Sequence, residues 1–485
     1  MSIELALAAL GALVLVSALS AGLVDRAPLS FPIVFLGLGV ALGPRGAGLL
    51  SIAAHSRVLE VVAISTLSLI LFLDAVNLEQ TGQRRDLAAP LLALGPGTVL
   101  VIALGTVAAA LLLRLPLALA GIVGAILAST DPVVLREVTR QPAIPAPVRR
   151  VLSIESGAND VVVLPVLLVL LAIAQRQIGS VLDWIIFLGK LLVIGPACGF
   201  IVGGAGAWLM SWVDGRTPVR REFQSLYGIG LVLTAYGVGA VVGVDGFLAA
   251  FAAGLGVTLL NQRLCDCFLD YGAATAEIAM LLAFGMFGAL LSSLLGGALL
   301  VPSLALAAFT ILAARPLSIG LVLLNARSLS WPARALIAWF GPRGLSSLLF
   351  ALLVVRAGLP ESVQILSVIG TVVITSVVLH GISGKPLSAL YVRVVARKTL
   401  GEERESTATG LFTQRAPDLQ RVAPEELAAL LSRPDPPLIL DVRSRSQYAG
   451  DPRRIPGSIR VLPDEVEAWA RGRSLQGKKV VTYCT

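Results

Sequence analysis

Two short motifs place acidic residues inside otherwise apolar stretches of the sequence. The first reads Ser-Thr-Asp-Pro over residues 129–132, and the second reads Glu-Ser-Gly-Ala-Asn-Asp over residues 155–160. In a helix, residues four apart are neighbours, so Glu155 shares a face with Asn159 whereas Asp160 lies on the next face. The two faces of the second motif can therefore do different chemistry.

Acidic groups in apolar surroundings are candidates for ion binding. Placing a charged group at the centre of a membrane helix costs about 2.5–3.5 kcal/mol, so each one needs a partner or a function. A carboxylate away from water holds a proton more readily than in solution, which makes a proton and a metal cation rivals for one site. Such rivalry is the chemistry of an ion exchanger. The ionisable residues of the apolar stretches are Asp74, Asp131, Glu155, Asp160, Lys190, Glu277, Arg315 and Arg343.

Prolines mark two points where helices are expected to break. Pro132 follows Asp131 in the middle of an apolar stretch, and Pro342 lies in the run Gly-Pro-Arg-Gly at residues 341–344. Proline removes a backbone hydrogen bond, and a broken membrane helix survives only where it is buried in protein or lines a cavity. The freed carbonyls and half-helix ends are ready ligands for a cation. The alternative is that both prolines merely kink continuous helices.

The composition places these motifs in an all-α, polytopic membrane protein. Of 485 residues, 56% are hydrophobic and 14% are charged, whereas a soluble domain carries roughly 25% charged residues. A membrane helix needs about 20 apolar residues, which predicts about thirteen spans. The two breaks fall in spans five and twelve, as expected for inverted repeats with one broken helix each. The spans begin near Leu5, Phe31, Val58, Ala88, Leu117, Val151, Trp184, Gln224, Gly246, Gly272, Ala298, Pro332 and Glu361.

The distribution of charge orients the spans and limits the partners. Arginine concentrates in alternate loops, which the positive-inside rule assigns to the cytoplasm. An odd number of spans then puts the N-terminus outside and the C-terminal segment in the cytoplasm, for a multi-pass protein of the inner (plasma) membrane. The net charge of +8 is spread over the whole chain, so no nucleic-acid partner is expected. Four cysteines and two histidines are too scattered for a disulfide framework or a zinc site.

Beyond residue 390 the composition becomes polar and charged. We expect a transmembrane domain over residues 1–390, a linker over 391–417 and a small α/β domain over 418–485. The elements expected in the last segment are helices at 424–432 and 464–470 and strands at 438–442 and 479–483.

Four motifs together resemble the monovalent cation:proton antiporter superfamily, in its sodium/proton exchanger branch. The resemblance covers residues 1 to about 390 and implies a thirteen-helix fold with an inverted repeat and crossed broken helices. It also implies a core that moves like an elevator, and a homodimer. The motifs are Thr130-Asp131-Pro132, Glu155-Ser156 with Asn159-Asp160, Gly341-Pro342-Arg343-Gly344 and Val378-Leu379-His380-Gly381.

The resemblance implies roles for five residues at an ion site. Asp160 would be the main carboxylate, which binds either a monovalent cation or a proton. Asp131, Thr130 and Ser156 would be further ligands from side chains or from the broken-helix backbone. Asp74 would lie near the site, where many relatives carry an acid. No cofactor is implied, since the bound species are the transported ions: Na+, or K+ or Li+, and H+.

The resemblance also implies one structural pair and one indicator of stoichiometry. Glu155 would form an ion pair with Arg343 that braces the core. Asparagine at position 159 is typical of electroneutral relatives, so Asn159 implies exchange of one proton per monovalent cation.

Some of these residues have structural alternatives. Asp160 could pair with Lys190 or with Arg315 instead of binding an ion. His380 is expected to be a packing residue rather than a proton relay. Asp245, just before an apolar stretch, is expected to cap a helix.

The C-terminal segment resembles the first half of a rhodanese-like domain. Leu438 to Arg443, Ile455 to Ile459 and Val480 to Cys484 carry the likeness, and Cys484 matches the sulfurtransferase nucleophile by position only. In that family, backbone amides of the following loop hold the reactive thiolate. The sequence stops at Thr485, before that loop, so we expect either that this chain has no sulfurtransferase activity or that it is a truncated piece of a longer product.

The leading hypothesis is therefore a transporter and not an enzyme. It would be a secondary antiporter that exchanges a monovalent cation, with Na+ favoured, for H+ without net charge movement. One alternative is a K+/H+ exchanger of the same fold, and another is a membrane-anchored rhodanese-type sulfurtransferase. The nearest candidate for a nucleotide-binding loop, Gly384-Lys385, is followed by Pro386 and has Leu379 where the first glycine should be, so ATP-driven transport has no support.

Overall fold

The computed structural model describes most of the chain. Only three positions of the first predicted span, which begins near Leu5, belong to the described residues. Residues 398–421 and Cys484 lie outside the described residues. The described residues are 11, 15, 19, 30–80, 87–139, 141, 143–176, 178–260, 262–296, 299–326, 328–397, 422–433, 435–451, 453–473 and 478–483.

The described part of residues 30–397 is almost entirely helical. Within it, eight helices are long and apolar enough to cross a membrane, and four shorter apolar helices accompany them. The helices are α1 Phe31–Leu42, α2 Arg57–Gln80, α3 Ala88–Leu113, α4 Leu117–Ala128, α5 Pro132–Thr139, α6 Ala146–Ala174, α7 Val181–Asp214, α8 Arg221–Val242, α9 Gly246–Leu260, α10 Gln262–Leu294, α11 Leu300–Val322, α12 Trp331–Trp339, α13 Leu345–Arg356 and α14 Ser362–Arg397.

A polytopic helical membrane protein is thus confirmed. The predicted short span at Gly246 is helix α9, and the predicted starts near Val58 and Ala88 fall at the beginnings of α2 and α3. The total of about thirteen spans stays a prediction, because the first of them lies outside the described residues.

Two helices are broken where the prolines predict. Residues 129–131 separate α4 from α5, and residues 340–344 separate α12 from α13. Ser129 and Phe340 follow the first halves with extended backbones, at ψ 135° and 102°. Pro132 is the first residue of α5. A backbone N–H group at that position has no acceptor within the helix, so a proline there costs no hydrogen bond. The alternative of two merely kinked helices is therefore wrong.

Three other long helices stay continuous but contain a π-helical turn close to a proline, at Pro96, Pro196 or Pro316. Proline lacks the N–H group that would continue the hydrogen bonds of an α-helix. A π-helical turn, which contains one extra residue, accommodates the missing hydrogen bond. Helices α3 and α11 each precede a broken helix, so both halves of the chain repeat the same order of elements, which supports the predicted repeat. The turns are Ala93–Gly97 in α3, Lys190–Ile194 in α7 and Thr310–Ala314 in α11.

The helices pack in two groups. Helices α1, α2 and α7–α10 pack mainly on one another, and we call them the scaffold group. Helices α3–α6 and α11–α14 include both broken helices, and we call them the site group. The groups meet where α2 packs against α6 and where α1 contacts α14.

Glycines let helices of the scaffold group approach closely. A Cβ atom at Gly203 of α7 would lie 2.1 Å from the carbonyl oxygen of Ala253 of α9. A Cβ atom at Gly39 of α1 would lie 2.1 Å from the carbonyl oxygen of Gly285 of α10. Lipid gives helices no hydrophobic reason to associate, so close packing of small residues stabilises these contacts.

The C-terminal segment forms a small α/β unit with three parallel strands in the order β2-β1-β3. Leu440 of β1 lies opposite Ile459 on one side and Thr482 on the other. The predicted strands and helices are present, whereas the two-residue strand β2 was not predicted. The elements are α15 Pro424–Leu431, β1 Leu438–Asp441, α16 Arg445–Gly450, β2 Ile459–Arg460, α17 Val466–Arg471 and β3 Val480–Tyr483.

This segment rests against the site group. Helix α16 packs against α14, and the short 3-10 turn Pro463–Glu465 packs against α6. Arg149 Nη2, in the first turn of α6, lies 2.8 Å from Glu465 Oε1. Both side chains are partly exposed, so this pair contributes only about 0–1 kcal/mol. The pair nevertheless shows where the segment lies, which is beside the beginning of α6.

The close approach of α7 and α9 predicts opposite effects for two glycine substitutions. Gly203→Ala is expected to destabilise the protein by about 1–3 kcal/mol, because the added methyl group meets backbone that cannot yield. Gly237 of α8 has no atom within 4 Å of the equivalent position, so Gly237→Ala is expected to stabilise by up to about 1 kcal/mol. Thermal unfolding in detergent measures both, and equal shifts would contradict the packing.

Candidate ion-binding site

Asp131 holds the two broken helices together. Its Oδ1 accepts a hydrogen bond from the Val133 backbone N–H group at 2.8 Å, and its Oδ2 accepts one from the Leu345 N–H group at 2.8 Å. Its own N–H group donates to the Pro342 carbonyl at 2.8 Å. Val133 and Leu345 lie in the first turns of α5 and α13. One carboxylate therefore caps the N-terminal ends of both half-helices, where an anion is favoured.

The two glycines of the Gly-Pro-Arg-Gly run make room for the crossing. A Cβ atom at Gly341 would lie 1.7 Å from Arg315 Nε, and one at Gly344 would lie 1.8 Å from Asp131 Oδ2. A side chain at either position would displace a charged group. Pro342, between them, supplies the carbonyl that Asp131 binds.

Two buried arginines cap the C-terminal ends of the preceding half-helices. Arg343 Nε donates to the Leu127 carbonyl at 2.8 Å, and its Nη1 donates to the Gly341 carbonyl. Arg315 Nη2 donates to the Phe340 carbonyl, next to the end of α12. Carbonyls at a helix C-terminus carry partial negative charge, which the guanidinium groups complement.

Glu155 forms a buried, bidentate ion pair with Arg315. The Arg315 Nη1 atom lies 2.8 Å from Glu155 Oε1, and Nη2 lies 3.0 Å from Oε2. The two side chains are only 2% and 1% exposed. The predicted pair of Glu155 with Arg343 is therefore wrong, because within the described structure the Arg343 guanidinium bonds to backbone carbonyls instead. The two parallel hydrogen bonds offset part of the free energy that is lost when both charged groups are removed from water.

Asp160 is held by hydroxyl groups. It is 1% exposed, and its Oδ1 accepts a hydrogen bond from the Ser129 hydroxyl at 2.6 Å. The Ser346 hydroxyl also hydrogen-bonds to this carboxylate, and the charge of Asp131 acts on it. No basic side chain of the described residues pairs with Asp160, so the structural alternative of a Lys190 or Arg315 partner is wrong.

Three further polar side chains lie beside the acids along the chain. Thr130 Oγ1 and Asn159 Oδ1 are buried and make no hydrogen bond within the described structure. Asn159 Nδ2 donates to Thr98 Oγ1 at 3.1 Å, which fixes the orientation of its amide. Ser156 Oγ makes only a long contact, 3.5 Å, to the Ser153 carbonyl. A buried oxygen without a protein partner loses about 1–3 kcal/mol of solvation, which makes these atoms candidate ligands.

Asp74 approaches the same helix from the scaffold group. It is buried on α2, and a Cβ atom at Gly157 of α6 would lie 3.6 Å from its Oδ1. Gly157 precedes Asp160 by one helical turn. The structure therefore brings Asp74, Asp131 and Asp160 to one region, at the contact between the two helix groups.

Two residues predicted to have structural roles lie away from this region. Asp245 Oδ1 accepts a hydrogen bond from the Leu248 N–H group at 2.8 Å, which confirms it as a cap of α9. Lys190 is exposed and lines a separate cavity of about 470 Å³ together with Asp245 and Arg356.

The C-terminal segment has its own polar cluster. Arg443 Nη2 lies 2.8 Å from Asp441 Oδ2, and the Tyr483 hydroxyl donates to the same oxygen at 2.9 Å. Burial favours the neutral acid, but these hydrogen bonds outweigh it and lower the pKa of Asp441. The cluster therefore stabilises the segment at neutral pH, and this contribution disappears as the pH falls through the lowered pKa. Cys484 lies outside the described residues.

Sequence reasoning missed three groups of the site. Ser129 belongs to a motif already singled out, but no role was assigned to it, and Ser346 and Thr98 lie on other helices. Serine and threonine in membrane helices commonly bond to a carbonyl of their own helix. Their residue types therefore gave no signal that could separate them from many others.

Two known protein families match parts of this chain. Residues 12–390 match the family described as "Sodium/hydrogen exchanger, transmembrane". Residues 423–485 match the rhodanese-like domain family.

Similar proteins include two potassium/proton antiporters and a solved sodium/proton antiporter. K(+)/H(+) antiporter NhaP of Alkalimonas amylolytica is 29% identical over 413 residues, which are 83% of this chain and 69% of the relative. K(+)/H(+) antiporter NhaP2 of Shewanella sp. strain ANA-3 is 27% identical over 372 residues, which are 76% of this chain and 64% of the relative. The chain thus spans about two thirds of the length of these relatives.

The sodium proton antiporter MjNhaP1 from Methanocaldococcus jannaschii, solved at pH 8, superposes with a TM-score of 0.65 at 20% identity. The superposition covers 81% of this chain and 100% of that one. The two chains therefore share a fold.

The bidentate pair predicts a large penalty when one partner is removed alone. Glu155→Gln or Arg315→Met is expected to destabilise the protein by about 3–5 kcal/mol, because a buried charge is left uncompensated. Replacing both, as Glu155→Leu with Arg315→Met, is expected to cost less than either single change. Thermal or denaturant unfolding in detergent measures the three variants.

A surface pair provides the matched control. Glu60 and Arg356 form an ion pair with side chains 29% and 38% exposed, so Glu60→Gln is expected to cost about 0–1 kcal/mol. A double variant of Glu155 and Arg315 that costs more than either single change would contradict the observed partner.

Proposed function

Because this chain belongs to the sodium/hydrogen exchanger family, we propose that it exchanges a monovalent cation for H+ across the membrane, with Asp160 as the group that binds either one. The proposal rests on how the three buried acids of the site group are held. Asp131 accepts hydrogen bonds from two backbone N–H groups, and Glu155 binds a guanidinium. These partners only donate hydrogen bonds, so neither acid can pass a proton to them.

Asp160 differs because its partners are hydroxyl groups. A hydroxyl donates to a carboxylate and accepts from a carboxylic acid simply by rotating. The Ser129 and Ser346 hydroxyls therefore allow Asp160 to gain or lose a proton without leaving a buried group unpaired. This is the single observation that carries the proposal.

The oxygen atoms near Asp160 suit an alkali cation. Among the described residues, Thr130 Oγ1 has no hydrogen-bond partner and Ser156 Oγ has only a weak one, and neutral oxygens of this kind are typical ligands for hard cations. Asp131 stays in the proposal as a second acid, because its charge acts on Asp160. Asp74 adds negative charge from the facing helix α2.

A single exchangeable carboxylate supports electroneutral exchange. Asn159, on the face next to Asp160, is neutral and is fixed by its bond to Thr98. With Glu155 neutralised by Arg315, one proton leaves Asp160 for each monovalent cation that binds there.

The cation is proposed to be Na+ or K+. The sequence motifs favour Na+, and MjNhaP1, which shares the fold, is named a sodium proton antiporter. The two relatives with the higher sequence identity are named K(+)/H(+) antiporters. The transport experiment below separates these cations.

The two helix groups support a mechanism of alternating access, and the contacts of the C-terminal segment support an orientation of the protein in the membrane. Gly157, one helical turn before Asp160, faces Asp74 of α2, so movement of the site group against the scaffold group would expose the Asp160 region to each side in turn. The C-terminal segment contacts the end of α6 that carries Arg149 and Arg150, which supports its placement on the arginine-rich, cytoplasmic side. We also propose a homodimer, in keeping with the family resemblance.

The rhodanese-like match supports a second candidate function, a membrane-anchored sulfurtransferase. That candidate gives the buried acids no task, so it ranks below transport.

The central test uses proteoliposomes that carry a pH gradient. Adding Na+, K+ or Li+ is expected to collapse the gradient in the wild type, and Asp160→Asn is expected to abolish this response for every cation because the amide cannot exchange a proton. Asp183→Asn is the matched control, since Asp183 only caps the start of α7, and it is expected to transport normally. If no alkali cation dissipates the gradient in the wild type, both exchanger versions are excluded.

Electroneutral exchange makes a separate prediction. Imposing a transmembrane voltage of either sign is expected to leave the initial rate of cation/proton exchange unchanged, because each cycle moves no net charge. The measurement is the exchange rate at fixed ion gradients with a set diffusion potential. A rate that follows the voltage would require a second exchangeable charge in the site.

A further inference from the structure

A row of three side chains on α14 contacts the break between α12 and α13. Ser376, His380 and Ser383 are spaced four and three residues apart and so share one face of the helix. Ser376 Oγ accepts a hydrogen bond from the Arg343 N–H group at 2.8 Å. His380 Nε2 lies 3.2 Å from the Trp339 carbonyl. Ser376 and His380 therefore reach backbone groups on opposite sides of the same break.

The roles of the two ring nitrogens depend on the tautomer, because His380 Nδ1 lies 2.9 Å from the Ser376 carbonyl and 3.2 Å from the Ser376 hydroxyl. The tautomer protonated at Nε2 gives one connected arrangement. In it, His380 Nε2 donates to the Trp339 carbonyl, which only accepts. In the neutral ring, Nδ1 then accepts from the Ser376 hydroxyl, 3.2 Å away. The result is one continuous chain from the Arg343 N–H group through the Ser376 hydroxyl and the His380 ring to the Trp339 carbonyl. Every donor in it meets an acceptor.

The neutral ring is the form that completes this chain. The charged groups that act on His380 are the guanidiniums of Arg343 and Arg315, and a third cation beside them would be repelled. An imidazolium would also donate from Nδ1 to the Ser376 carbonyl, 2.9 Å away, which would leave the Ser376 hydroxyl without its acceptor.

We infer that Ser376 and His380 form a clamp that sets the geometry of the second helix break and, through it, the position of Asp131. His380 is a positioning residue in this inference, which rests on the proposed function. The link to the ion site is short: Arg343 is followed by Gly344 and Leu345, and the Leu345 N–H group donates to Asp131 Oδ2. Loosening the break would move this N–H group and weaken the hold on the acid.

The test compares substitutions that keep or remove the hydrogen-bonding pattern. His380→Leu is expected to raise the half-saturating cation concentration about three- to tenfold, as for one lost buried hydrogen bond. His380→Gln is expected to restore it to within about twofold of the wild type, because the amide still donates from one end and accepts at the other. Ser376→Ala is expected to match His380→Leu, and the double variant to be no worse than either.

Ser383→Ala is the matched control. Ser383 accepts from the Trp339 indole N–H group at 3.1 Å, so it lies in the same row but bonds no backbone group of the break. It is expected to transport with the half-saturating concentration of the wild type. The clamp is overturned if His380→Leu behaves like this control, or if His380→Gln is as impaired as His380→Leu.

A second measurement separates this inference from the proposed function. Thermal unfolding in detergent is recorded for Ser376→Ala, His380→Leu and the double variant. The clamp predicts strongly non-additive shifts, because the two residues belong to one hydrogen-bonded chain. Additive shifts overturn the clamp. If the wild type transports no alkali cation, the proposed function fails while this cycle still tests the clamp.

Discussion

The structure depends on one carboxylate that accepts hydrogen bonds from the starts of two helices. Asp131 receives the N–H groups of Val133 and Leu345, so the half-helices α5 and α13 converge on a single negative charge. Interrupted helices inside a membrane leave backbone groups that lipid cannot satisfy. Here the two interruptions satisfy each other, since the Asp131 N–H group also bonds to Pro342 in the second break. Neither break would be stable without the other.

The same charge logic governs the rest of the crossing. Asp131 lies at the N-terminal helix ends, and the guanidiniums of Arg343 and Arg315 lie at carbonyls of the C-terminal ends, so these three charges complement the helix dipoles. Glu155 balances Arg315. These charges all have fixed structural partners. Asp160 differs, because its partners are hydroxyl groups, which can donate or accept a hydrogen bond. The division between fixed acids and one adaptable acid links the architecture to the proposed exchange.

Residue types and spacing predicted the membrane class, both breaks and the burial of the acids, because proline and charge act locally. They did not predict which arginine binds Glu155. Arg315 and Arg343 are both buried basic residues of the second half, and only the three-dimensional crossing turns Arg343 toward the α4 carbonyls. The role of Ser129 and the donor and acceptor roles of His380 were equally hidden, since they depend on contacts between residues far apart in sequence.

The C-terminal segment contacts α14 through its helix α16 and, through the turn Pro463–Glu465, contacts α6, the helix that carries Asp160. Arg149 and Glu465 join the two parts across a water-accessible boundary, where the pairing is weak enough to open. Thermodynamic reciprocity then applies to this junction. A molecule that binds the seated and released forms of the segment unequally, and thereby changes the ion affinity at Asp160, would in turn have its own affinity changed by the same factor when the ion site is occupied.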